Sequence, residues 1–314
     1  MKKPTPGIPP DLHEGRARAY AFPSGPVSAP KLASGLYVVA TPIGNLGDIT
    51  LRGLETLAAA DVIACEDTRI TRRLLDRFGI TTPLLAYHDH NAASVRPKIL
   101  AQLSAGAAIA LVSDAGTPLI SDPGYKLVRE VQAAGHTVIP LPGASAVLTA
   151  LAAAGLPTDR FFFEGFLPPK QAARRTRIGE IADVPATLVL FETGPRLAAA
   201  LTDLAAGLGD REAAICRELT KLHEEIRRGD LATLAAAYAD GGEIRGEFVV
   251  VIGPPSRNAT EPRVEDVDAM LRCALESASL KDAVAAVAEA TGRPRRDIYQ
   301  HALSLTKAGN DAGD

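Results

Sequence analysis

Three segments punctuated by glycine and proline carry the residue types that hold a small polar ligand. Thr41-Pro-Ile-Gly-Asn-Leu-Gly-Asp48 follows a short apolar run, and its glycines allow main chain to approach a ligand closely. Ser113-Asp-Ala-Gly-Thr-Pro-Leu-Ile-Ser-Asp-Pro-Gly124 joins two prolines, two glycines and two aspartates in twelve residues, so amides, carbonyls and carboxylates are offered in a fixed shape. Pro140-Leu-Pro-Gly-Ala-Ser-Ala146 puts small residues where a ligand can lie against a helix start. Each alone also reads as ordinary turns with Asx caps. Three of them together weigh towards a binding site, and G-x-G-x-x-G is absent at the first turn, which excludes the dinucleotide fingerprint there.

Two further groups carry titratable side chains. Cys65-Glu-Asp-Thr-Arg69 ends a strand-like run, and taken alone its Glu66, Asp67 and Arg69 read as a strand-end salt bridge and a helix cap. His88-Asp-His90-Asn91 has the residue types of a metal or acid–base cluster. In an extended segment His88 and His90 point to opposite faces, so a polar or substrate-facing loop is expected, with no metal.

The elements that must position these loops are short and alternate. Apolar runs at 35–40, 61–65, 83–87, 107–112 and 136–140 read as strands, and helical spacing at 51–60, 71–78, 97–104 and 124–134 separates them. Strands interleaved with helices imply a sheet covered on both faces, with ligands at the carboxyl ends of its strands. Beyond Gly155-Leu-Pro157 a second α/β block offers strands at 160–164, 187–191, 213–217, 224–228 and 247–252; the last three lie close in sequence and predict antiparallel pairing. Residues 264–307 show two or three helical patterns and no strand. The expected division is a flexible arm over 1–34, α/β domains over 35–155 and 156–255, and a helical segment over 256–314.

Composition narrows the function. The 314 residues carry 34 basic and 37 acidic side chains, a formal net charge of −3 that argues against a surface tracking a polyanion throughout. Aromatics make up 4% and Trp is absent, which leaves little for a base-stacking platform. Cys65, Cys216 and Cys273 are too scattered for a disulfide framework or Cys-rich zinc site, so a reduced, cytoplasmic chain is expected. No window reaches the roughly 18 apolar residues of a membrane span. The first 34 residues hold seven prolines and no continuous apolar core, so they read as an arm and not as a signal peptide.

The three loops, Cys65-Glu-Asp-Thr-Arg69, Phe163-Glu-Gly-Phe166, Phe191-Glu-Thr193, Arg217-Glu-Leu-Thr-Lys221 and Gly246-Glu-Phe248 together resemble the tetrapyrrole methylase superfamily. More narrowly they resemble its ribosomal branch, the ribosomal RNA small-subunit methyltransferase I family, over 35–254. Related tetrapyrrole enzymes have a Gly-Gly-Asp-Pro type of loop where this chain reads Ala115-Gly-Thr-Pro118, a departure that fits the ribosomal branch. The resemblance implies a two-domain α/β fold with S-adenosylmethionine between the lobes, a homodimer, and 2'-O-methylation of a cytidine in 16S rRNA of the small ribosomal subunit. It implies that Pro42, Asp114, Ala115, Gly116, Thr117, Ile120, Ser145, Ala146, Glu192 and Leu219 meet the cofactor. It shifts the 65–69 segment to the substrate side, with Asp67 or Glu66 as proton acceptor and Arg69 as partner of a phosphate or carboxylate. Lys221 reads either as a cation for phosphate or oxyanion or as an exposed lysine.

Two basic stretches are the expected RNA contacts. Residues 168–177 hold Lys170, Arg174, Arg175 and Arg177 without an acid, and could clamp a backbone or form a solvated helix face. In the C-terminal segment Arg293, Arg295 and Arg296 open the second helix of a helix–turn–helix-like pattern. Two competing readings are a methylase of a small tetrapyrrole precursor, which would need neither stretch, and a non-catalytic scaffold for ribosome assembly.

Overall fold

The structure, a computed structural model, describes residues 29–239, 244–255, 264–275, 278–291 and 294–310. Most of the expected arm, residues 1–28, and Arg293 lie outside the described residues. Residues 29–34 are tied to the body: Ser34 donates to the carbonyls of Leu103 and Ala107, and the Tyr37 hydroxyl to that of Ala33.

Five short apolar runs form the first sheet: β1 (Gly35–Val39), β2 (Val62–Cys65), β3 (Leu84–Ala86), β4 (Ala108–Leu111) and β5 (Val138–Leu141). All pair in parallel, in the order β3-β2-β4-β1-β5. Parallel strands need covered faces, and the two faces of β1 divide its side chains accordingly. Tyr37 and Val39 pack with Leu54 and Leu57 of α1 (Leu51–Ala59) and Leu74 and Leu75 of α2 (Thr68–Arg77). Leu36 packs on the other side with Val95, Ile99 and Leu103 of α3 (Ala92–Ser104) and Leu127 and Val131 of α4 (Tyr125–Ala133). Helix α3 starts five residues before the expected 97 and runs through Pro97; the Asn91 side chain shapes its entry by accepting from the His88 amide and donating to the Ala86 carbonyl.

Because β1 lies between β4 and β5, the connections out of the sheet reverse direction there. This is the switch point at which the carboxyl-end loops part and leave a crevice. The loops after β1, β4 and β5 are the three glycine- and proline-rich segments.

The second sheet contains β6 (Phe161–Phe166), β7 (Thr187–Thr193), β8 (Glu212–Arg217), β9 (Glu225–Asp230) and β10 (Glu247–Ile252), ordered β6-β7-β10-β8-β9. Only β6 and β7 are parallel; the pairs among β7, β10, β8 and β9 are antiparallel. Strands β6 and β7 each run two residues beyond the expected ends, which brings Phe166 and Glu192 into the ladder. Helices α6 (Gln171–Ile181), α7 (Gly194–Leu208) and α8 (Leu231–Ala239) cover one face. Helix α5 (Ala146–Ala154), capped by Ser145 of the third loop, covers the other. One helix thus joins the first sheet's crevice to the second sheet. At the carboxyl-terminal side, α9 (Val264–Leu275), α10 (Leu280–Thr291) and α11 (Arg295–Asn310) share a core of their own around Val267, Leu271, Val287 and Ile298.

Candidate active site

The carboxyl-end loops of the first sheet are latched to one another through main chain. Thr41 and Gly116 exchange two backbone hydrogen bonds of 2.9 Å, and the Thr41 hydroxyl donates to the Ser113 carbonyl. Thr117 donates to the Ala144 carbonyl, fastening the second loop to the third. The Asp67 amide donates to Asp114 Oδ1 at 2.9 Å, fastening the loop after β2 to the second. A surface built from backbone groups that already bond one another has little freedom left to lose when a ligand arrives.

The second lobe closes on these loops at two points. A Cβ on Gly44 would stand 2.4 Å from Lys221 Cγ and would force that side chain to shift; one on Gly165, where φ is +76°, would be strained and would crowd Ser121 Oγ at 3.0 Å. Between them lies a cleft of about 250 Å³. Its walls are Ala115, Gly116, Thr117, Ile120, Ser121 and Asp122 from the second loop, Ser145 and Ala146 from the third, and Phe191, Glu192, Leu219 and Lys221 from the second sheet. Among the described residues four that are not glycine have positive φ: Leu119 (76°) and Ser121 (61°) on one side, Glu218 (49°) and Thr220 (65°) on the other. Such conformations cost about 1–3 kcal/mol each and persist where neighbours enforce them, often at ligand sites.

The cleft lining is mostly apolar, with a few polar side chains. Phe191 packs edge-on against Phe163 and Phe166, with ring centroids 4.9 and 5.6 Å apart. Glu192 is buried, accepts from the Thr193 amide at 2.8 Å and pairs with Arg196. Burial raises its carboxyl above the ordinary range, although those partners oppose the rise. Lys221 sits between Glu218 Oε1 (3.0 Å) and Glu247 Oε2 (2.7 Å). Burial works against its ammonium, but those two bonds prevail and raise its pKa.

Of the residues the resemblance implied for the cofactor, Ala115, Gly116, Thr117, Ile120, Ser145, Ala146, Glu192 and Leu219 line this one cleft. Pro42 and Asp114 are not part of the lining: Ile43 takes the lining position beside Pro42, and Asp114 holds the Asp67 amide. Glu66, Asp67 and Arg69 are outside the lining as well. Asp67 caps α2 by accepting from the Arg69 amide at 2.8 Å, while its carboxylate grips the Arg69 side chain, and these bonds hold its pKa down at about 2. Glu66 is half-buried, and burial followed by Asp114, Asp122, Asp89 and Asp67 pushes its carboxyl up. Asp122, Phe166, Phe191 and Glu247 also line the cleft; the sequence shows their motifs but assigns none of the four to the site. The signal for Asp122 was its place in the second loop; for the phenylalanines it was the pairing of Phe166 with Phe191, which needs the β6–β7 register.

The expected basic clamp at 168–177 requires a correction. Arg174 is buried and bonded to Asp203 through two nitrogens, so it cannot reach a phosphate. Arg175 bonds the same Asp203 at 2.7 Å, and Arg177 bonds Glu164 and Glu180. Lys170 is exposed at the start of α6. Arg295 and Arg296 are exposed in the first turn of α11. The rings of His88 and His90 stand 6.0 Å apart, and among the described residues no group of three or more His, Cys, Asp or Glu could hold a metal ion.

Residues 35–235 match the family model of tetrapyrrole (corrin/porphyrin) methylases. Solved structures share the fold. A cobalt precorrin-4 methyltransferase of cobalamin biosynthesis superposes with a TM-score of 0.52 at 18% identity, over 69% of this chain and 94% of that one. Diphthine synthase gives 0.54 at 19%, over 69% and 89%. Two α/β lobes around a loop-lined cleft therefore define a tetrapyrrole methylase fold.

The sequence relatives are narrower in kind. The chain is 50% identical over 290 residues to ribosomal RNA small subunit methyltransferase I of Mesorhizobium japonicum, covering 91% of this chain and 98% of the relative. It is 52% identical over 278 residues to that of Erythrobacter litoralis, covering 88% and 98%. Residues 261–306 match the family model of the RsmI C-terminal HTH domain. The chain belongs to the ribosomal RNA small subunit methyltransferase I family.

Proposed function

We propose that this chain transfers the methyl group of S-adenosylmethionine to the 2'-hydroxyl of a cytidine ribose in 16S rRNA of the small ribosomal subunit. The observation that carries the reading is near-complete coverage, by a chain half identical to it, of a protein named for small-subunit rRNA methylation. The cleft fits the cofactor chemically: backbone groups of 115–117 and the buried Glu192 suit the polar ends of a nucleoside and an amino acid, and the phenylalanines suit an apolar middle. Ala115, Gly116, Thr117, Ile120, Ser145, Ala146, Glu192 and Leu219 would hold it, with Pro42 and Asp114 supporting the loops that carry the first five. When bound, it supplies a methyl on a positively charged sulfur, open to in-line displacement.

The chain's own contribution is alignment and removal of a proton. Fixed loops hold the reacting atoms in line, which accounts for much of the acceleration in such displacements. A ribose hydroxyl is a poor nucleophile while protonated, so a carboxylate near it is needed. The carboxylates at hand span two loops: Glu66 and Asp67 after β2, Asp114 and Asp122 after β4. Lys221 in the cleft lining and Arg69 after β2 would serve as cations for developing charge or a phosphate. Arg293, Arg295 and Arg296, with Lys170, are the RNA-facing cations. A homodimer in the cytoplasm completes the reading; no helix among the described residues is long and apolar enough to cross a membrane.

The test is transfer of labelled methyl from the cofactor to small subunits and to naked 16S rRNA, followed by mapping of the labelled nucleotide. Label on one cytidine ribose is expected. Absence of label from both substrates, or label on a base, overturns the reading. Sedimentation should give twice the monomer mass.

A further inference from the structure

Resting on the reading just given, we propose that Asp122 is the carboxylate that takes the proton from the acceptor hydroxyl. Its position carries the inference. Of the four acids on the two loops, Asp122 alone lines the cleft; Glu66, Asp67 and Asp114 are not part of its lining. Asp67 is committed to Arg69, and Asp114 to the Asp67 amide. Asp122 directly follows Ser121, in the stretch where Leu119 and Ser121 both adopt positive φ. That stretch is gripped from the first lobe by the Thr41–Gly116 bridge and from the second by Gly165 beneath Ser121. A backbone strained in this way and held on both sides presents one side chain in one place.

The surroundings suit a base. Among the described residues no ion pair occupies Asp122, and Phe166 and Phe191 line the same cleft. The other ionisable residues lining the cleft are Glu192, Cys216, Lys221 and Glu247; burial holds the Cys216 thiol up at about 11, and Lys221 is already held by Glu218 and Glu247. Burial, then the charge of Asp114, push the Asp122 carboxyl above the usual aspartate range, while the Ser113 hydroxyl works against the rise. A carboxylate so raised accepts a proton more readily near neutral pH than an exposed one does. In the step, the ribose oxygen gives its proton to Asp122 as it bonds the methyl carbon. The electron pair of the broken carbon–sulfur bond stays on sulfur, leaving a neutral thioether, and Asp122 then releases its proton to water.

The experiment is single-turnover methyl transfer to small subunits across pH, with calorimetric titration of the cofactor into the same protein. Asp122→Asn should lower the rate by about 10²–10⁴-fold, leave cofactor affinity unchanged and remove the acid limb of the wild-type profile. Asp114→Asn deletes a like charge and should move that limb to lower pH, an effect that a purely structural role would not produce. Asp122→Glu keeps a carboxylate, so it should keep an acid limb even if its rate falls. Three results overturn the proposal: Asp122→Asn with wild-type rate and limb, Asp122→Asn rescued by more cofactor, or a limb removed by Glu66→Gln instead. A wild-type protein that methylates neither subunits nor 16S rRNA sinks the underlying reading and not this assignment alone.

Discussion

Two basic segments that look alike in the sequence are treated in opposite ways by the fold. The arginines of α6 are neutralised by acids from elsewhere: Arg174 and Arg175 share Asp203 of α7, and Arg177 reaches Glu164 of β6 as well as its own-helix neighbour Glu180. Asp203 lies 29 residues from Arg174, so no local window reveals the pairing. At the start of α11, Arg295 and Arg296 stay in solvent and no ion pair among the described residues holds them. Positive charge at a helix N-terminus opposes the helix dipole, so these two arginines do not stabilise their helix there. The difference separates charge that builds the second lobe from charge available to a phosphate backbone.

Arg174→Ala is expected to have the largest effect on folding. It leaves the buried Asp203 with Arg175 and the Gln171 side-chain amide, and breaking such a pair costs about 3 kcal/mol, the lower end of the usual range because those partners remain. Urea unfolding followed by circular dichroism measures it. Binding of the still-folded fraction to small-subunit RNA should be unchanged; a loss of RNA affinity with stability intact would erase the contrast between the two segments. Arg295→Ala with Arg296→Ala should do the reverse. Stability stays level, RNA binding weakens at every salt concentration, and the slope of log affinity against log salt falls by about 2, one for each phosphate no longer neutralised. An unchanged slope would remove α11 from the RNA surface. Glu192→Gln should weaken cofactor binding about tenfold, the loss expected from one charged hydrogen bond, as read by calorimetry.

Much of the scaffold was legible because its determinants are local. Runs such as Leu36-Tyr-Val-Val39 are too short and too β-branched for helices, and the turns that end them are marked by glycine and proline. The three ligand loops were legible by composition, and the switch point then placed them together. Asp67 was legible from residue type alone as a helix cap paired with Arg69, and it is one. What remained hidden depends on register and long-range packing. Phe166 meets Phe191 only because β6 pairs with β7 in parallel across a bulge, and Asp122 faces the cleft only because the 113–124 loop is strained into place. The burial of Arg174 was hidden for the same reason: its partner is distant in sequence.

The same contrast between engaged and available charge applies to the acids, and Asp67 provides its mildest test. With its folded carboxyl at about 2 and an ordinary aspartate at about 3.9, the Asp67–Arg69 contacts add to stability above about pH 4. That contribution is lost as the pH falls through about 2, where the native carboxylate takes up its proton. Asp67→Asn should therefore lower the urea midpoint slightly at pH 7, flatten the dependence of stability on pH between about 4 and 2, and remove part of its sensitivity to salt. The effect is small because Arg69 stands 87% in solvent, where salt screens the pair. Methyl transfer at pH 7 should survive the change, since this carboxylate is occupied by Arg69 and lies outside the cleft lining. A variant that keeps its stability but loses transfer would instead put Asp67 among the reacting groups.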